Sequence, residues 1–158
     1  MEKNIQTGHD HFHEEMRNII EEARVILPGV QALFGFQTIA VFSDRFADLP
    51  LHATLCHLIG LGMVILAVAL VMTPAVYYRV VGPQYVSRTM IKRSSWLIRL
   101  ALAPLACGLA LDMFTVIYAA TNGLRPSVLG GLATFIVLSS LWFIFPWLER
   151  RRCRRMQV

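Results

Sequence analysis

The sequence predicts an all-α protein: a four-transmembrane-helix bundle with a short N-terminal amphipathic helix and both termini in the cytoplasm. Three observations carry this. Of 158 residues, 56% are apolar and only 16% are charged, whereas soluble domains run at about 45–50% and about 25%. A water-soluble chain of this size buries only about two thirds of its surface, so this composition points to lipid as the solvent. Four apolar stretches also approach or exceed the ~20 residues that cross a bilayer, and the basic residues gather on alternate connections between them.

The elements follow in order. Residues 1–12, MEKNIQTGHDHF, form a polar tail. Over 13–24, Met16, Ile19, Ile20 and Ala23, continued by Leu27, recur at helical spacing, with Glu14, Glu15, Glu21 and Glu22 between them, which predicts an amphipathic helix. Its acidic polar face is the reverse of the Lys/Arg face usual at a membrane surface, so packing against the protein's own basic loop competes with a surface position. The membrane domain, 25–148, holds spans at about 25–42, 51–78, 96–120 and 128–148. The first carries Pro28, Gln31 and Gln37 but no charge; the second exceeds what a bilayer needs, predicting tilt or a kink at Pro74. The third contains Arg99, Pro104 and Asp112, the fourth ends in an aromatic cluster, and 149–158 is a basic tail.

Charge sets the orientation. The first 24 residues are net −3 and the remainder +8. The first and third connections carry only Arg45 and Arg125, while Arg79, Arg88, Lys92 and Arg93 crowd the second and Arg150, Arg151, Arg152, Arg154 and Arg155 the tail. Short cytoplasmic loops hold the excess of Lys and Arg, which predicts both ends in the cytoplasm. Beside hydrophobic spans these clusters read as partners of anionic lipid headgroups, not of nucleic acid. Arg99, about one turn from the cytoplasmic end, snorkels to the same interface. The polar, acidic start does not predict a cleaved signal. Cys56, Cys107 and Cys153 have neither CxxC nor metal-ligand spacing.

With the spans oriented, depths can be compared at about 1.5 Å per residue. Gln37, His57, Asp112 and Thr134 all fall roughly 9–12 Å from the outer ends of their spans, so each span places one hydrogen-bonding side chain in one outer layer. Asp112 is the anomaly, because an isolated carboxylate in hydrocarbon costs several kcal/mol unless paired or neutralised. His57 is its nearest partner by depth, and a His–Asp pair is suited to proton exchange. The layer reads either as interhelical glue or as a proton or cation site. Gln31, roughly 18 Å deep, would continue a path inward or join spans within or between subunits.

Other chemistry has less to rest on. His9, His11 and His13 alternate as HDHFH, which would align on an extended chain but not on a helix, and form a weak metal candidate; no metal site is predicted. Bis-histidine haem needs two histidines at matching depth on different spans, and only His57 lies within one, so no haem or other cofactor is expected. No nucleophile–base arrangement, phosphate loop or zinc-protease helix is present, and the chain reads as a non-enzyme. Gly29, Gly35, Gly60, Gly62, Gly108, Gly130 and Gly131, with Ala106 and Ala110 at a small-xxx-small spacing, permit close helix approach, within one bundle or between copies. The functional reading is an accessory or scaffold subunit or self-assembling membrane module, with a small proton or cation channel or carrier using His57 and Asp112 as the alternative.

The stretch EEARVILPGVQALFGFQTIAVFSDRF, followed by HLIGLGMVILAVALVMTPAVYYR, resembles a bacterial family of small integral membrane proteins of unknown function. Its specific part is LPGVQALFGFQ, Leu27 to Gln37. The resemblance implies a bacterial inner-membrane location and four spans; it assigns no activity and no site residues.

Overall fold

In three stretches of this chain, residues placed seven apart meet their counterparts in the other two stretches, and that spacing dictates the fold. The computed structural model describes the backbone of residues 2–82 and 87–156, and side chains over 14–82 and 87–152. Helix α1 runs from Glu2 to Ala40, α2 is a single turn at Asp44–Ala47, and α3 spans Leu51–Val81. Helix α4 covers Arg88–Thr121, and α5, Leu124–Ser139, continues through a π-helical turn at Ser140–Ile144 into α6, Phe145–Met156.

Helix α1 lies antiparallel to α3 and parallel to α4, and the three share aliphatic layers one heptad apart. Met16 packs with Met90, Ile91 and Tyr78; Ala23 with Val71, Ile98 and Ala101; Val30 with Val64, Ala67 and Leu105. The contributing positions are 16, 23 and 30 on α1, 78, 71 and 64 on α3, and 91, 98 and 105 on α4. A seven-residue repeat keeps one stripe of each helix facing its partners over several turns. The expected division of 13–24 from 25–42 is marked by no break, because α1 is helical throughout and Pro28 lies inside it. Met16 and Ala23 belong to the same buried stripe as Val30.

Helices Leu51–Val81, Arg88–Thr121 and Leu124–Arg152 are long and apolar enough to cross a membrane, the mark of a membrane protein. The first expected span is the C-terminal half of α1, alongside α3 and α4. Helix α3 continues through the buried Pro74. A left-handed Asn122, with φ of 50°, ends α4 by donating its backbone N–H to the Tyr118 carbonyl at 2.8 Å, and α5 folds back on α4. There Gly131 packs so closely that a Cβ would lie 3.0 Å from the Ala110 carbonyl. The π-helical turn, a form of single-turn bulge, includes Trp142, whose ring reaches the Val30–Val64–Leu105 layer.

Candidate functional site

The heptad that places three aliphatic layers places a fourth made of Gln37, His57 and Asp112, seven residues beyond Val30, Val64 and Leu105 respectively. Gln37 and His57 are only 5% and 4% exposed. The Gln37 side chain donates its amide N–H to Asp112 Oδ2. Imidazole Nε2 of His57 lies 3.0 Å from the main-chain carbonyl of Gln37, and Nδ1 faces Asp112 Oδ1 at 3.4 Å. That second distance is within ion-pair range but longer than an ordinary hydrogen bond. Asp112 Oδ1 therefore has no hydrogen-bond partner among the described residues, and neither has the buried Gln37 Oε1.

This geometry restricts the protons. A carbonyl oxygen only accepts, so Nε2 carries hydrogen, and a neutral ring then presents a bare Nδ1. A bare nitrogen and a carboxylate cannot satisfy each other. One additional proton resolves the conflict, on Nδ1 as imidazolium or on Asp112 as carboxylic acid, and either form leaves the pair with no net charge. The arrangement can thus hold and exchange one proton.

Glycine and an aromatic ring complete the site. Gly60 on α3 leaves room for the carboxylate, since a Cβ there would lie 3.1 Å from Asp112 Oδ1. The Phe46 ring of α2 meets His57 edge-on, centroids 5.1 Å apart. Thr115, one turn beyond Asp112, donates to the Leu111 carbonyl at 3.0 Å and lies 3.5 Å from the Ala53 carbonyl of α3. A cavity of about 240 Å³ adjoins the layer on the side of the α1–α3 connection, lined by Phe36, Ser43, Arg45, Phe46 and Val116 as well as the three polar residues. Spacing did not reveal Phe46, which belongs to no periodic stretch. Thr115 was legible in principle, three residues from Asp112 on one helix face.

Not every expected member joins. Thr134 bonds the Gly130 carbonyl of its own helix at 2.9 Å, and its helix packs on Ala110 and Phe114. Those residues stand two positions from Asp112, about 200° around α4, so Thr134 lies outside the layer. Gln31 is exposed on α1 and does not face the layer. Arg99 donates to the Ser95 carbonyl at 3.1 Å and is exposed, as are Arg79, Arg88, Lys92, Arg93 and Arg150. Arg151 stacks 3.4 Å over Trp147, and Arg152 pairs with Glu149 at 3.3 Å. The side chains of His9, His11, His13, Arg154 and Arg155 lie outside the described residues.

A family model described as a family of unknown function, DUF6328, matches residues 6–146. The chain belongs to the DUF6328 family. No curated protein and no solved structure matches it. The DUF6328 match encloses the three aliphatic layers and the polar one, and stops before the arginine tail. The residues Leu27 to Gln37 had implied a family of unknown function, and DUF6328 is one.

Proposed function

We propose that this protein is a self-associating accessory or scaffold module of the bacterial inner membrane, without enzymatic activity. Four spans place both ends in the cytoplasm, and the α1–α3 connection faces the periplasm. The observation that carries this reading is Gln31. It adjoins Val30, whose layer lies midway along α3 and α4, yet it is exposed and its side chain makes no hydrogen bond among the described residues. An unpaired amide facing hydrocarbon is costly, and a second copy relieves the cost, because two Gln31 side chains across a two-fold axis each donate to the other. Gly35, one turn on from Gln31 on the same face of α1, has nothing within 4 Å of a built Cβ, so a neighbouring helix can approach closely there. The Gln37–His57–Asp112 layer then fixes the register of α1, α3 and α4, as single polar layers do in apolar bundles.

The test is association of the purified chain in lipid vesicles, read by energy transfer between labelled copies. Gln31→Leu should weaken association about tenfold, in line with ~1–2 kcal/mol for an interhelical polar contact, with unchanged thermal stability in detergent. Equal association of the two proteins would overturn the reading. The cavity beside His57 and Asp112 favours a second reading, a proton or cation carrier. Three aliphatic layers lie inward of that site, with Ser94 a buried hydroxyl between the Ile91 and Ile98 layers and no buried ionisable side chain beside them among the described residues, which supports an occluded site over a conducting path. A pH-dependent flux into liposomes, lost in Asp112→Asn and His57→Ala, would reverse that preference.

A further inference from the structure

At the opposite end of the bundle from the polar layer, α1 and α3 part to leave a groove of about 630 Å³. Its rim carries three guanidinium groups, Arg17 and Arg24 from α1 and Arg79 from the last turn of α3. Among the described residues, Glu21 is the only acidic one in the lining. The floor is apolar, formed by Ala23, Leu27, Met72 and Ala75. None of the three arginines makes an ion pair or hydrogen bond among the described residues. Arg17 and Arg79 stand beside the Met16–Tyr78 layer, and Arg24 one heptad closer to the bundle's middle. Leu27 and Met72 continue the floor in the same direction. We propose that this groove holds one anionic phospholipid, its phosphate against Arg17, Arg24 and Arg79 and an acyl chain along Leu27 and Met72.

The charge pattern selects the occupant. A net-positive rim over an apolar floor that runs toward the bilayer centre fits an amphiphile with a phosphate head. A free phosphate would leave the floor uncovered, and a zwitterionic lipid adds a cation beside the arginines. Arginine stems cover apolar surface while their heads reach the interface, and each basic group near an anionic headgroup is worth about fivefold in binding. The proposal rests on the membrane placement of the bundle and is independent of self-association through Gln31.

Native mass spectrometry of the full chain in detergent, titrated with phosphatidylglycerol or phosphatidylcholine, tests it. One phosphatidylglycerol should be retained in preference to phosphatidylcholine, and the preference should fall at least about tenfold in Arg24→Gln/Arg79→Gln but not in Arg125→Gln at the other end. Ala75→Phe, which fills the groove and keeps every charge, should also lose the bound lipid, and thermal melting establishes that each variant is folded. Equal retention of both lipids by the wild type, or an undiminished preference in Ala75→Phe, would overturn the proposal. Inorganic phosphate that displaces the lipid at millimolar concentration would show an anion site instead and also overturn it. Recovery of the chain from cells without detergent would point instead to failure of the membrane placement.

Discussion

His57 faces Asp112 across the α3–α4 contact with Nδ1 and Oδ1 3.4 Å apart, while the other nitrogen of the same ring is held by the Gln37 carbonyl. Three helices are thereby joined through one imidazole, and the joint requires a proton on one side of the pair. Substitution at Asp112 separates the carboxylate's charge from its hydrogen-bonding shape. In Asp112→Asn the new amide donates to Nδ1 and still accepts from Gln37, so stability should change by less than about 1 kcal/mol. Asp112→Ala leaves Nδ1 and the Gln37 amide unpaired and should cost about 1–3 kcal/mol. Thermal unfolding in detergent checks this order; equal losses in the two variants would show that the carboxylate's charge, not its hydrogen bonds, holds the layer.

The same geometry assigns a tautomer. With Nε2 committed to a carbonyl, the neutral ring must be the Nε2–H form, and any second proton arrives at Nδ1. Nitrogen chemical shifts of histidine-labelled protein should show Nε2 protonated at every pH at which the bundle is folded. A neutral His57 with its hydrogen on Nδ1 would contradict the Gln37 contact.

Depth is readable from sequence because a helix advances linearly, and that arithmetic places Gln37, His57 and Asp112 in one layer. Depth says nothing about which way a side chain points. Thr134 shares the expected depth but stands on a helix docked to the far side of α4. Gln31 and Gln37 are six residues apart, so they diverge by about 120° on a helix, and only one faces the core. The continuity of α1 was hidden by a change of composition: charges dominate up to Arg24 and apolar residues after it, although Met16, Ala23, Val30 and Gln37 keep one spacing across that change. Contacts made by the short α2, such as Phe46 on His57, depend on where the chain turns, which periodicity does not encode.

The proposed orientation has a direct chemical check. Asp48 follows α2 in the α1–α3 connection and is exposed. A cysteine introduced there in a chain lacking its other cysteines should react in intact cells with a membrane-impermeant maleimide supplied from the periplasm, whereas a cysteine at Lys92 should react only after the membrane is opened. The reverse pattern, with both sites reactive in detergent, would invert the topology and move the arginine-rimmed groove to the other leaflet.

The polar layer survives only if α3 and α4 cross at backbone contact, and Gly60 and Gly108 make that crossing. A Cβ at Gly108 would lie 3.0 Å from the Gly60 carbonyl and 3.1 Å from Val64 Cγ2. Neither a helix backbone nor a buried Val64 yields easily, so Gly108→Ala should push the helices apart and cost about 1–3 kcal/mol, the usual range for overpacking. Gly62, two residues from the crossing, has nothing within 4 Å of a built Cβ. There alanine meets no obstacle and gains helix propensity, so Gly62→Ala should be neutral or stabilising by up to about 1 kcal/mol. Because Gly60 also borders Asp112 Oδ1, parting the helices at Gly108 lengthens the His57–Asp112 contact as well. Gly108→Ala should therefore shift the His57 nitrogen resonances, whereas Gly62→Ala leaves them in place. A destabilised Gly108→Ala with unmoved His57 resonances would mean that the crossing and the polar layer are held independently.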